Sequence, residues 1–314
     1  AQPLSTLLSR GSDMFAPNLQ TLRSLSTRSA VALFLLAWAV AQPAAAWWGS
    51  GHDLLAQASV QALPQDMPDY FRAGASTIAH MSYDPDVAKN RGTPQLSHGE
   101  FPEHFFDLEL LADQPYPDKR YEFIELCHEL GVAPDKVGFA PYAIAEWTQR
   151  LAVAFAEHRR WPENEAIRAK SLVYAGFLAH YSQDLVQPLH ATIHYDGRVD
   201  EDGRSPHSGI HETVDASVER LKLDPAQLAR EAQVIPIDGD LFEAIRSIVR
   251  QSNGLVDEVY GLATDLEGGS GPTTEAGRQF VRERAVRATA FTASLYVTAW
   301  QLSEDLRLPG WLDR

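Results

Sequence analysis

The chain has 314 residues, of which 45% are hydrophobic and 22% charged, a balance typical of an ordinary globular protein rather than a disordered or fibrous one. It carries 27 Lys and Arg against 42 Asp and Glu, a formal net charge of −15, which disfavours a DNA-wrapping or polybasic membrane-binding role. The single cysteine, Cys127, excludes an intrachain disulfide and any multi-cysteine zinc or iron–sulfur site.

Residues 1–46 are predicted to be a secretory signal peptide. Arg23 and Arg28 precede a short apolar run, and an Ala-rich segment that ends at Ala46 follows it. A basic region, a short apolar region and an Ala-x-Ala site are the signature of such peptides, whereas a membrane span needs about 20 apolar residues. We therefore expect cleavage after Ala46, a periplasmic or secreted protein, and no transmembrane segment in the mature chain. Met14 is an alternative start that leaves a signal of ordinary length.

From residue 47 onward the pattern is helical. Apolar residues recur at spacings of three and four in 142–155, 171–185 and 280–302, which predicts amphipathic helices. The stretches rich in Gly, Pro and Asp are predicted to be loops: 84–102, 195–209 and 264–274. No convincing period-two alternation occurs. The sequence therefore predicts one all-α, multi-helix domain over 47–314.

Two histidine–carboxylate pairs stand out in the mature chain. His180 and Asp184 are four residues apart on a predicted helix, and His211 and Asp215 have the same spacing. Side chains four apart on a helix point from one face and can reach a common ion. Imidazole and carboxylate are ligands that zinc accepts, and His190 lies between the two pairs. Spacing alone leaves solvated ion pairs as the alternative to a metal site.

The stretch 180–190, His-Tyr-Ser-Gln-Asp-Leu-Val-Gln-Pro-Leu-His, resembles the His-Tyr-x-x-Asp-x-x-Gln-Pro-x-His signature of the zinc-dependent phospholipase C and fungal single-strand nuclease superfamily. Further segments are similar to that superfamily in the same order: 47–52, 83–86, 103–108 and 210–215. Its members are all-α and hold three zinc ions in a cleft. The resemblance implies the same fold and the same cofactor over about 47–215.

Carried over position by position, the resemblance implies three zinc sites. The first would be held by Asp86, His104, His180 and Asp184. The second, which keeps open positions for water and substrate, would be held by His190, His211 and Asp215. The third would be held by the α-amine and carbonyl of Trp47, which signal cleavage would make a chain end, with His52 and Asp184. Asp184 would then bridge two ions.

Two of these assignments leave alternatives open. Asp84 is chemically as able as Asp86, which is preferred because the motif of the superfamily places its aspartate after a proline. His207 with His211 would also satisfy zinc. The pair His211 and Asp215 is preferred because an apolar residue precedes each of them, as in the superfamily.

The resemblance implies hydrolysis of a phosphodiester, and the chemistry of clustered zinc indicates a mechanism. A water that bridges two zinc ions loses its proton near neutral pH and can attack phosphorus, while the ions neutralise the charge that develops on the phosphoryl oxygens. Asp86 or a metal-held water is expected to assist proton transfer. The net negative charge does not exclude such an enzyme, because bound divalent ions reverse the local potential.

The resemblance favours phospholipase C-like cleavage of a phospholipid head group over single-strand endonuclease or 3′-nucleotidase activity. His190 is followed by Ala191, as in the phospholipase branch, rather than by the Gly-Gly-Asn of the fungal nucleases. An acidic chain offers few basic residues beside aromatic platforms, so no stable nucleic-acid complex is expected. A non-catalytic zinc-binding protein is a remote alternative. The three protein ligands of the second site leave a position for water, which favours an enzyme.

Overall fold

Helices make up the secondary structure of residues 49–198 and 205–313, the part of the chain that the computed structural model describes. No strand occurs in these ranges, which confirms the all-α prediction. None of the described helices is both long and apolar enough to span a bilayer. The signal peptide predicted for 1–46 and the predicted ligand Trp47 lie outside the described residues and stay predictions.

Sixteen α-helices occur in the described ranges. In chain order they are α1 (Gly49–Gln61), α2 (Asp69–Ala73), α3 (Ala75–Met81), α4 (Asp84–Ala88), α5 (Pro94–Glu100), α6 (Arg120–Leu130), α7 (Pro134–Val137), α8 (Ala140–Arg160), α9 (Glu165–Val186), α10 (Ile210–Asp215), α11 (Ser217–Arg220), α12 (Pro225–Glu231), α13 (Leu241–Asn253), α14 (Val256–Gly261), α15 (Ala263–Leu266) and α16 (Glu275–Leu302). Short 3₁₀ helices occupy Phe101–His104, Leu108–Leu111, Pro188–His190 and Gly310–Asp313.

The core forms where α9 packs against α8, α3 and α16, with α1 covering α3 and α16. Buried aromatic rings join these layers edge to face: Phe71 lies 5.1 Å from Phe155 and 5.4 Å from Tyr296, measured between ring centroids. The hydroxyl of Tyr296 donates a hydrogen bond of 2.9 Å to the carbonyl of Ala175, which ties α16 to α9. The packing therefore fixes α9 in the middle of the molecule.

Asn164 caps the start of α9, since its Oδ1 accepts hydrogen bonds from the backbone N–H groups of Ala166 and Ile167.

The C-terminal half of α9 is buried on every side although it carries polar residues. Every residue from 178 to 192 is buried. Because buried polar groups need partners, the polar side chains in this segment must be paired with one another, with neighbouring helices or with bound ions.

The prediction of a loop over residues 84–102 is wrong. Residues 84–102 form α4 and α5 and then enter the 3₁₀ helix Phe101–His104. Pro85 and Pro94 lie in the first turn of α4 and α5. Proline is favoured there because the first N–H groups of a helix have no intrahelical partner and its fixed φ angle suits the helix. The predicted loop 264–274 also begins inside α15.

The crossing of α9 over α3 is close enough to require glycine at position 176. A Cβ at Gly176 would overlap the Cβ of Met81 and lie 2.8 Å from its carbonyl carbon and 2.9 Å from the carbonyl oxygen of Ile78. The same crossing brings the carbonyl oxygen of Ser82 to 2.7 Å from His180 Nδ1. Close packing of two backbones therefore sets the position of a histidine of the candidate site.

We expect Gly176→Ala to lower the free energy of unfolding by roughly 1–3 kcal/mol, because the clash involves backbone atoms that cannot rotate away. Urea unfolding followed by circular dichroism measures this. Gly99→Ala is the matched control: Gly99 lies in α5 with no atom within 4 Å of an added Cβ, so that change should be neutral or stabilising by up to about 1 kcal/mol. Parental stability of Gly176→Ala would contradict the close crossing.

Candidate metal centre

Eight of the nine predicted ligands are described, and all eight converge in the fold. They form three groups of potential metal-binding residues, of which the first two share His180: His52, His180 and Asp184; Asp86, His104 and His180; and His190, His211 and Asp215. Within each group one ligand atom from every residue lies within 4.8 Å of the others. The structure thus brings the predicted residues together, while their role as ligands stays a prediction.

Asp184 lies at the middle of this cluster and is wholly buried. Its Oδ1 lies 3.2 Å from His52 Nε2, and its Oδ2 lies 3.1 Å from His104 Nδ1 and 3.2 Å from His180 Nε2. The Nδ1 of His190 is 4.0 Å from the same Oδ2. One carboxylate therefore contacts histidines from α1, from the 3₁₀ helix Phe101–His104 and from its own helix, α9.

Asp86 completes the group that contains His104 and His180. Its Oδ1 lies 3.8 Å from His104 Nδ1 and 3.8 Å from His180 Nε2, and these two nitrogens are 2.8 Å apart. Asp84, on the same short helix, belongs to none of the three groups. The fold of α4 therefore places Asp86, the preferred of the two aspartates, beside the histidines.

A separate group forms where α10 meets the segment after α9. His211 Nε2 lies 3.0 Å from His190 Nε2 and 3.2 Å from Asp215 Oδ2, and His190 Nε2 is 3.8 Å from Asp215 Oδ1. The alternative partner, His207, points elsewhere and lies 2.8 Å from Glu267 Oε1. The geometry therefore groups His211 with Asp215.

Hydrogen bonds on the outer side of the rings fix the orientation of most of the histidines. His180 Nδ1 donates to the carbonyl of Ser82 over 2.7 Å, and His190 Nδ1 donates to another backbone carbonyl over 2.8 Å. His52 Nδ1 lies 2.7 Å from the side-chain oxygen of Gln183. Because a neutral imidazole carries one N–H, these contacts leave the lone pair of Nε2 directed into the cluster, as in histidines that bind metals.

The donor atoms fit zinc. Several buried atoms of these residues have no hydrogen-bond partner: His52 Nε2, Asp86 Oδ2, Asp184 Oδ1 and Asp215 Oδ2. Ligands bound at 2.0–2.2 Å to one tetrahedral zinc ion lie about 3.3–3.6 Å apart, close to most of the separations between these histidines and carboxylates. Imidazole nitrogen and carboxylate oxygen are also the donors that zinc accepts.

The charge of the cluster also favours bound cations. Asp184 and Asp215 are fully buried, and within the described ranges neither forms an ion pair with Lys or Arg. Burial opposes ionisation of Asp184, but the adjacent His180 and His190 hold its pKa well below the usual range. Burial lowers the pKa of His190, but Asp184 and Asp215 overcome this effect and raise it to about 9. Both shifts show that the buried carboxylates attract positive charge.

Sequence reasoning missed two charged residues beside the cluster. Lys89 Nζ lies 2.6 Å from Asp86 Oδ1 and 5.8 Å from the centre of the Phe101 ring. Glu100 Oε1 lies 3.5 Å from His104 Nε2. Helical spacing is the sequence feature that could have identified them, since Lys89 follows Asp86 by three residues and Glu100 precedes His104 by four.

No protein-family model and no curated protein matches the chain. Among solved structures, alpha toxin from Clostridium absonum is similar in fold, with a TM-score of 0.45 and 14% sequence identity. The match covers 82% of this chain, which spans 66% of the length of the toxin chain.

We expect Asp184→Asn to remove more than one zinc ion per chain. Asp184 contacts histidines of two of the groups, so neutralising it leaves both with less negative charge to hold a cation. Zinc content after reconstitution and desalting is measured by inductively coupled plasma mass spectrometry. Asp84→Asn, which changes an aspartate outside the three groups, should keep the parental content. A loss of one ion or fewer in Asp184→Asn argues against a bridging role.

Proposed function

We propose that this chain is a zinc-dependent hydrolase that cleaves phosphodiester bonds. The observation that carries the proposal is the convergence of eight buried or nearly buried His and Asp side chains, with Asp184 in their middle. The resemblance of 180–190 to the phospholipase C and nuclease signature supports it, because the residues of that signature are among those that converge. We also propose that the protein works after export and after removal of residues 1–46.

The three groups of side chains correspond to three ions. Asp86, His104, His180 and Asp184 would hold one ion, and His190, His211 and Asp215 would hold another. His52 and Asp184, with the chain end at Trp47, would hold the third. Bound zinc lowers the pKa of a water and polarises phosphoryl oxygens, which supplies the nucleophile and stabilises the developing charge.

The side chains themselves orient these ions and handle protons. Burial would raise the pKa of Asp86, but His180 and Lys89 lower it, so the carboxylate is ionised near neutral pH. Asp86 Oδ2 has no hydrogen-bond partner, so it is available to accept a proton from an attacking water. We propose this as its catalytic role.

Lys89 supplies a positive charge for the substrate. Its side chain is only 7% exposed, and its ammonium is paired with Asp86. A cation beside Asp86 suits a phosphate that binds at the adjacent metal site.

A phospholipid head-group ester is the preferred substrate, and a single-stranded nucleic acid or 3′-nucleotide is the second candidate. The pairing of Lys89 with the half-exposed ring of Phe101 favours the second, because an aromatic platform beside a basic residue is what single-strand binding uses. A side-by-side assay of the two substrate classes distinguishes between them.

Protein that begins at Trp47 and is reconstituted with zinc should hydrolyse bis(p-nitrophenyl) phosphate, because this substrate needs only the metal centre. Excess chelator should abolish turnover, and added zinc should restore it. Phosphatidylcholine micelles and single-stranded DNA, assayed side by side, identify the substrate class. Zinc binding without turnover on any of the three would instead indicate a non-catalytic zinc protein.

Lys89→Met should lower kcat/KM for the phosphodiester by roughly 10²-fold, the lower end of the effect of removing one charge-stabilising donor. The zinc content should remain parental, because Lys89 donates to a ligand and is not one. Lys119→Met is the control, since the Lys119 side chain is 72% exposed and pairs only with Glu122. Unchanged kcat/KM in Lys89→Met would exclude a role for this ammonium in substrate binding or catalysis.

A further inference from the structure

His104 is turned the opposite way from the other described histidines of the metal centre. Its Nδ1 faces the cluster, 2.8 Å from His180 Nε2 and 3.1 Å from Asp184 Oδ2. His180 and His190 instead direct Nδ1 to backbone carbonyls and present Nε2 to the cluster. Binding of a metal by His104 therefore requires that its proton be on Nε2.

The carboxylate of Glu100 faces the outer edge of the His104 ring. Its Oε1 lies 3.5 Å from His104 Nε2, a buried nitrogen that has no hydrogen-bond partner, so this carboxylate is placed to accept its proton. Glu100 is the last residue of α5, and the 3₁₀ helix that follows carries His104 one turn further, so both side chains lie on one face. The Glu100 side chain is 12% exposed, so water competes little for the carboxylate.

Tyr181 holds the Glu100 carboxylate in place. The hydroxyl of Tyr181 donates a hydrogen bond to Glu100 Oε1, and the tyrosine ring is 2% exposed and packs edge to face against His104, with 5.6 Å between centroids. Tyr181 directly follows His180 on α9. The same helix, α9, therefore carries both His180 and the tyrosine that holds Glu100 beside His104.

Without an acceptor at Nε2, the proton of His104 would be stabilised on the wrong nitrogen. Nδ1 faces the carboxylates of Asp184 and Asp86, at 3.1 and 3.8 Å, and both favour an N–H directed at them. A proton on Nδ1 blocks the lone pair that a metal needs. A carboxylate on the other side of the ring opposes this preference, because it attracts the proton to Nε2 and raises the basicity of the nitrogen that binds the metal.

We propose that Glu100, held by Tyr181, is a positioning residue that keeps the His104 proton on Nε2 and so leaves Nδ1 free to bind zinc. This role rests on the proposed function, since it presupposes a zinc ion between Asp86, His104 and His180. It adds two residues to the metal centre that are not themselves ligands.

Zinc affinity is measured for the parent protein, Glu100→Leu and Glu100→Gln by competition with a chromophoric chelator. Glu100→Leu removes the acceptor and should weaken binding of one zinc ion by at least about tenfold. Glu100→Gln restores a neutral acceptor oxygen and should recover part of that loss, which a general packing defect would not produce. Glu212→Gln is the control, because Glu212 is an exposed carboxylate next to His211 and should leave zinc affinity unchanged.

Nuclear magnetic resonance of the zinc-loaded parent, labelled with ¹⁵N histidine, reports the tautomer of His104 independently of stability. We expect the proton on Nε2, and Tyr181→Phe should weaken zinc binding in the same direction as Glu100→Leu by a smaller factor. If Glu100→Leu does not fold, the tautomer of the parent and the affinity of Tyr181→Phe decide the question.

Two results separate this role from the proposed function. A parent that binds zinc, with His104 protonated on Nδ1 or with Glu100→Leu at parental affinity, would overturn the role of Glu100 alone. A parent that binds no zinc would overturn the proposed function and this role with it.

Discussion

The buried charge of Asp184 is the constraint on which the rest of the site depends. A carboxylate without contact to water is stable only when positive charge and hydrogen bonds surround it. Here histidines from α1, from the 3₁₀ helix before Phe105 and from α9 itself approach its two oxygens within 3.2 Å. Neutral imidazoles compensate the charge only in part, so the arrangement is most stable with cations bound among them.

The helical scaffold makes that arrangement rigid. The last turns of α9 present His180 and Asp184 from within the core, where α9 packs against α8, α3 and α16. Three of the histidines, His52, His180 and His190, are oriented by a hydrogen bond from Nδ1 to a backbone carbonyl or to Gln183. Donor atoms held in this way would lose little entropy on binding an ion, as preorganised ligands do.

Parts of the fold and of the candidate site could be predicted from the sequence. The other parts depend on contacts between distant segments of the chain, which a local sequence pattern does not reveal. The pair His180 and Asp184 follows from helical spacing, and the all-α fold from the apolar periodicity. Spacing within one helix does not reveal how helices cross, however, so the close approach at Gly176 and the contact between His104 and His180, 76 residues apart, were not predictable from it. The orientation of the His104 ring depends on such long-range contacts and could not be predicted either.

We expect these side chains to bind zinc as one cluster, and anomalous X-ray scattering locates bound zinc without reference to activity. Crystals of the zinc-reconstituted chain that begins at Trp47 would be measured on both sides of the zinc absorption edge. Anomalous peaks are expected in the space enclosed by Asp86, His104 and His180, in that enclosed by His190, His211 and Asp215, and beside His52 and Asp184. Peaks only at surface histidines, or no peak at any of the three groups, would contradict this expectation.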